Sequence, residues 1–304
     1  MIKCLDKIFL MILIMLPAMQ MSGAKVKDSP DAFLKSSLQK EKVMEGEKVI
    51  YEVTLYSADP DIAGAELIRM PEFSDIQAIR MAADNRLTET EIKGKRYYSV
   101  VIDRYILDAE NRGRFKLQGG LYRLGFNRRV RMNDPFWGPS VMNRVEVAEL
   151  KAPETVLKVG TLPSNGKPED FSGAIGSFSI GLELPKGEIR AGQDILAVVT
   201  IEGEGDLTNT PAPDVRRAFR EGLHFRNMTD EKQHFINEGK LGSEMVLLCR
   251  FTADAAGSYT ILPVQFSYYD SKENRYKTIS TSPVSIEVLP GKESGTKPPM
   301  IMEV

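Results

Sequence analysis

Side chains able to do chemistry are few in this sequence, and they stand apart. The two histidines, His224 and His234, lie ten residues from each other with no cysteine or carboxylate at ligand spacing. Zinc sites favour close pairs such as C-x-x-C or H-x-x-x-H. The spacing therefore predicts two ordinary histidines and no metal centre. Cys249, in MVLLCRF, alternates in phase with Met245, Leu247 and Phe251. That phase predicts a core position, where a thiol acts as a small hydrophobe; a reactive thiol needs an exposed, electropositive setting. Gly203-x-Gly205 and Gly119-Gly120 do not open helices after strands, so both read as turns and not as nucleotide fingerprints. Acidic residues are plentiful but scattered at turns, and nothing in their spacing fixes a carboxylate pair. The expectation is no catalytic residue, no cofactor and no metal.

One cluster has the composition of a docking site. Arg123, Arg128, Arg129 and Arg131 stand beside Tyr122 and Phe126, and Asp134-Pro135-Phe136-Trp137-Gly138-Pro139 follows closely. Arginine and tryptophan are the side chains most often used as binding anchors. Arg128, Arg129, Phe136 and Trp137 are the candidate partner-binding residues, on a long loop between the last strands of a first domain. The plainer alternative is a solvated hairpin whose sole tryptophan fills the core.

The elements that would carry these residues are strands. KVIYEVTLY puts Val49, Tyr51, Val53 and Leu55 on one face, with Glu52 and Thr54 on the other. YYSVVIDRYIL (97–107) is β-rich, although Asp103 and Arg104 interrupt its alternation. DILAVVTIEG alternates again, with Gly203–Asp206 after it as a turn. Gly222–Asn227 and Met245–Phe251 are further strand candidates, and VRRAFR (215–220) is at most one helical turn. In DAAGSYTILPVQFSYYDSKENRYKTISTSPVSIEVL, the polar DSKENR breaks two β-rich runs, and Pro283 predicts an edge or a bulge in the second run. Its opening, Asp254–Tyr259, resembles the tyrosine corner of immunoglobulin-like sandwiches, in which a glycine turns and a Tyr hydroxyl bonds back to the backbone. Ile261 stands where antibody domains carry the inter-sheet cysteine.

The pattern is written twice. Glu45-Gly46 aligns with Ala191-Gly192, Gly113-x-Phe115-x-Leu117 with Gly257-x-Tyr259-x-Ile261, and Val145-Glu146-Val147 with Ile286-Glu287-Val288. A chain of 304 residues suits two domains. The expected fold is all-β, two tandem Ig-like antiparallel β-sandwich domains after a signal peptide. The segments are 1–24 signal peptide, 25–152 first sandwich, 153–172 a linker rich in Pro, Gly and Ser, 173–290 second sandwich and 291–304 a polar tail. The signal peptide is read from Lys3 and Lys7 before the apolar run Ile8–Met19, with Ser22-Gly23-Ala24 as small residues for cleavage. An uncleaved anchor is the alternative, although the run is short for a bilayer span. Cleavage leaves Cys249 as the one thiol and no internal disulfide. Forty basic and 42 acidic residues nearly balance and give no argument for nucleic acid.

GAIGSFSIGLELPKGEIRAGQDILAVVTIEGEGDLTNTPAPDV, followed by LPVQFSYYDSKENRYKTISTSPVSIEVLPGK, resembles the BatD family, the Bacteroides aerotolerance or oxygen-tolerance proteins. The likeness covers most of 173–291, and more loosely 43–153 through EGEKVIYEVTLY, MPEF and the Gly113 corner. It implies an exported, membrane-associated protein of tandem sandwiches, encoded with MoxR-type ATPases and von Willebrand factor A domain proteins and linked to envelope stress or aerotolerance. The family has no recognised catalytic residues, so none is carried over. Typical members continue into a C-terminal transmembrane helix; this sequence ends in the polar GKESGTKPPMIMEV. The resemblance therefore implies a periplasmic form, or one at the periplasmic face of the inner membrane, held there by a partner or by an uncleaved N-terminal segment.

Two classes of function follow. The first is a non-enzymatic binding or scaffold protein whose partners are envelope proteins, such as von Willebrand factor A domain membrane proteins. The second is a carbohydrate-binding or adhesion-type Ig-like module, for which Trp137 and Tyr122 are the only aromatic hints. An enzyme with a carboxylate pair across a cleft would need two close, buried acids.

Overall fold

The computed structural model describes residues 31–134 and 138–291. Residues 1–24, expected as a signal peptide, Phe136, Trp137 and nearly all of the polar tail lie outside the described residues. Among the described residues there are twenty strands, joined by turns and one 3-10 turn, Arg216–Ala218, inside the stretch expected to hold one helical turn. Eleven build the first sandwich: β1 (Ala32–Leu38), β2 (Lys42–Met44), β3 (Lys48–Ser57), β4 (Ile62–Arg69), β5 (Gln77–Met81), β6 (Thr88–Ile92), β7 (Lys95–Asp108), β8 (Gly113–Leu117), β9 (Leu121–Asp134), β10 (Gly138–Lys151) and β11 (Thr155–Gly160). Nine build the second: β12 (Ile175–Glu183), β13 (Ile189–Arg190), β14 (Ile195–Gly205), β15 (Leu223–Asn237), β16 (Lys240–Ala253), β17 (Gly257–Ile261), β18 (Gln265–Asp270), β19 (Arg275–Ser280) and β20 (Val284–Leu289).

In the first sandwich, β1-β3-β7-β5 form one sheet, with β6 also on β7; β10-β9-β4 and β2-β11-β8 complete it. Val49, Tyr51, Val53 and Leu55 point into the core, as their alternation predicts. In the second, β15-β16-β14-β12-β18-β19 are continuous and β13-β20-β17 close the other side.

The repeat is visible in matching backbone bonds. Gly46 N–H donates to Ala109 at 3.1 Å, and Gly192 N–H to Ala253 at 2.9 Å. Glu45 N–H donates to Gly160 at 2.8 Å, and Ala191 N–H to Leu289 at 2.9 Å. The same pairs correct the third marker. β20 lies antiparallel to β17 and parallel to β13; its counterpart is β11, antiparallel to β8 and parallel to β2. Leu157 and Val159, not Val145 and Val147, therefore match Ile286 and Val288. The stretch expected as linker from 153 contains this closing strand, so the first sandwich runs to Gly160.

Two other local readings change. Gly203 and Gly205 are strand residues at the end of β14, not a turn. They are glycines because β12 runs too close for a side chain: a Cβ at Gly203 would lie 2.1 Å from Ser177 O, and one at Gly205 2.5 Å from Ile175 O and 2.8 Å from the Phe178 ring. The run around Pro283 is two strands in different sheets. Thr281 bridges the gap, its N–H bonding Val264 O and its hydroxyl accepting from Val264 N–H, both at 3.0 Å.

The sandwiches touch through a hairpin tip. β15 and β16 are joined by Glu238-Gly239, both at positive φ (50° and 73°), the two-residue turn that matches strand twist. The tip brings Leu241 and Ile236 onto Ile50 and Ile106, which lie on the outer face of the first sheet. Polar bonds surround this patch. Lys48 Nζ meets Asp206 at 2.8 Å, Lys40 Nζ meets Ser271 Oγ at 3.0 Å, and Gln39 Oε1 accepts from Leu241 N–H at 3.4 Å. The connecting segment is strapped to the second sandwich. Tyr276 donates its hydroxyl to Pro163 O at 2.7 Å, and Ser267 bonds Asp170 at 2.8 Å.

Candidate partner-binding hairpin

The arginine cluster sits on the β9–β10 hairpin. Its strands are fourteen residues each and paired without a bulge from Asp134↔Gly138 to Leu121↔Lys151. The stretch expected as a long loop is thus strand to its last described residues. Its counterpart in the second sandwich, β18–β19, has strands of six residues. The first sandwich has extended this one hairpin into an arm.

The base of the arm is core. Tyr122, Leu124 and Phe126 alternate inward, and Ala148 meets them from β10. β4 supports β9 only as far as Phe126. Beyond that point the two strands run on without β4. Arg128 marks the transition: its guanidinium holds Asp59 on one side and Glu146, at 3.2 Å, on the other. Alternation places Arg128 on the core-side face and sends the neighbouring Arg129 to the opposite face, where it is exposed. The two arginines of the predicted site therefore do not converge, and Arg128 is committed to fixing the arm. Phe136 and Trp137 lie outside the described residues. Lower down, Arg123 is paired with Glu149 and Glu66 at 3.0 Å each, and both hold its guanidinium above the usual arginine range.

Sequence reading missed the exposed apolar residues on both faces of the arm. Val141, Met142 and Val145 are 64%, 52% and 50% exposed, and Val130 on β9 is also exposed. The signal was present in the alternation V-x-N-x-V at 141–145, which a loop assignment hid.

Behind the arm, Asp103 is buried at 1% exposure and holds the two sheets together. It accepts hydroxyls from Tyr105 at 3.0 Å and from Tyr122 of the facing sheet at 2.8 Å, and it pairs with Arg80 at 2.8 Å. The irregular alternation at this point is a β-bulge: Val53 faces Asp103, Thr54 faces Val101, and Ile102 is the extra residue. Burial first, then the Asp103 charge, raises both tyrosines above their ordinary range.

The other chemical candidates do not assemble. His224 lies on β15 with its ring 2.6 Å from Asp254, and both are exposed. His234 lies on the same strand about 30 Å away by strand rise. Cys249 is fully buried with Met245, Leu247 and Phe251, and burial pushes its thiol up to about 11. A recess of about 480 Å³ between Pro213–Arg216 and Phe225–Met228 holds one acid, Asp214. Another of about 370 Å³ has Glu202, Glu204 and Glu238 on its rim. There Glu202 and Glu238 are exposed, and Glu204 is bound to Lys272 at 2.7 Å. Among the described residues no group of three or more His, Cys, Asp or Glu could hold a metal, and no helix is long and apolar enough to cross a membrane.

Residues 182–288, the body of the second sandwich, match the family model described as the BatD DUF11-like domain. This bears out the resemblance read from the sequence over that domain. No curated protein matches the chain. Among solved structures, the type II cohesin dyad from the adaptor ScaA scaffoldin of Acetivibrio cellulolyticus aligns at 10% identity over 74% of this chain and 86% of that chain, with a TM-score of 0.24. At that score the likeness carries no argument.

Proposed function

We propose, from a second domain of the BatD type over residues 182–288, that this chain is a non-enzymatic binding or scaffold component of a cell-envelope complex linked to oxygen tolerance or stress. In this reading it acts with von Willebrand factor A domain membrane proteins and a MoxR-type ATPase system. It is exported by its apolar N-terminal segment and works in the periplasm or at the periplasmic face of the inner membrane. One observation supports the docking element: the first sandwich extends a hairpin to fourteen-residue strands where its counterpart has six. Its root is fixed by Arg128, and Arg129 and the exposed valines are presented outward. A hydrogen-bonded hairpin suits recognition because its backbone is already ordered before binding.

Crosslinking in intact cells, followed by purification of the tagged chain, tests this. The expected product is a von Willebrand factor A domain membrane protein, lost on combining Arg129→Ala with Trp137→Ala. Recovery that survives those changes removes the arm from the docking site but keeps the scaffold. Retention on envelope polysaccharide with no such protein overturns the scaffold in favour of an adhesion-type module.

A further inference from the structure

The outer edge of β10 is open. β10 pairs with β9 through fourteen unbroken positions, and among the described residues no strand pairs with its other side. Sheets ordinarily blunt such edges with prolines, lysines or bulges. From Ser140 to Leu150 there is no proline, lysine or bulge, and the charges present, Arg144, Glu146 and Glu149, are of both signs. The edge instead carries Val141, Met142 and Val145, all exposed. A regular edge with exposed apolar side chains is a template for another strand.

The charges along the strand say which strand fits. Take a second β10 antiparallel to the first, with a two-fold axis at Val145. Arg144 of each copy then faces Glu146 of the other, because residues one step either side of the axis exchange places. Val145 faces itself. Met142 faces the small Ala148 at the rim of the core. Glu146 Oε2 accepts from Arg128 Nε–H, and Oε1 is without a partner among the described residues. Opposite charges directly across an antiparallel pair stabilise it, and like charges destabilise it. A strand whose own sequence supplies both halves of the complement fits a closed two-fold pair.

We infer that two copies of this chain associate by pairing their β10 edges, antiparallel, about Val145. Antiparallel pairing sends the two arms in opposite directions. The inference stands on β10 alone and does not rest on the BatD reading.

Sedimentation of the full chain tests it. The wild type is expected to dimerise reversibly. Arg144→Glu and Glu146→Arg, each alone, place like charges at both symmetric positions and are expected to weaken the dimer about tenfold or more. An equimolar mixture of the two variants is expected to regain wild-type strength, since every acid then faces a base. Val145→Cys should form an intermolecular disulfide under mild oxidation, while Asn143→Cys, which faces Val147 in this register, should not. The cysteine pair decides the matter even if a charge variant misfolds. A monomeric wild type, a mixture no stronger than its components, or equal crosslinking at position 143 overturns the inference.

Discussion

Asp103 is the residue on which the first sandwich is most exposed to damage. Removing it leaves two buried tyrosine hydroxyls without their acceptor and Arg80 without its partner. Asp103→Ala is expected to cost about 3 kcal/mol, and Tyr122→Phe about 1 kcal/mol, as read from urea midpoints. Tyr105 and Tyr122 also set an alkaline limit. Both are raised in the native state, so above pH 10 an unfolded chain releases protons that the native chain keeps. The tyrosine contribution to stability is therefore whole below pH 10 and is lost as pH rises beyond it. Replacing both tyrosines by phenylalanine should flatten that fall, whatever it does to the midpoint at neutral pH. Cys249, raised by burial, works in the same sense from pH 9 to about 11. Its peptide should resist alkylation at pH 8 in the native chain and label at once in denaturant.

At the scale of elements, much was legible because short-range alternation survives in a sandwich. The inward face of β3 and the phase of Cys249 followed from period-two reading, and the corner tyrosine from its likeness to the corner of immunoglobulin-like sandwiches. Tyr259 donates to Ala255 O at 2.9 Å, the bond its sequence setting predicts. Tyr259→Phe should lower stability by about 1 kcal/mol, the net worth of one hydrogen bond. The misreadings share a cause: partners distant in sequence decide what local composition cannot. Gly203 and Gly205 have the composition of a turn because glycine usually marks one, but the close approach of the β12 backbone and the Phe178 ring requires their bareness. Gly205→Ala would put a Cβ 2.5 Å from Ile175 O, and an expected loss of about 2–4 kcal/mol in denaturant melts checks it. β11 hid in a Pro- and Gly-flanked segment, since only its pairing with β8 and β2 makes it a strand. The arm was taken for a loop because arginines dominate it, and its valines were read past.

At the scale of the whole molecule, the β15–β16 tip decides whether the two sandwiches move as one. Ile50, Ile106 and Leu241 are buried against one another, each worth about 1.5–3 kcal/mol relative to exposure. Leu241→Asp puts a charge in that patch without touching either main core. It should raise the radius of gyration in small-angle scattering and open residues 161–172 to protease, while both sandwiches stay folded. An unchanged scattering curve would mean that the polar bonds of Lys48 and Lys40 suffice to hold the pair.

The same patch has a direction in time. A chain is made from its N-terminus, and its domains fold as they emerge. Ile50 and Ile106 face outward from a sheet complete long before Leu241 exists, about 190 residues after Ile50. A newborn first sandwich therefore shows two bare isoleucines on an otherwise finished surface. The late hairpin covers them when it folds down, so the surface of the first half is completed only by the second.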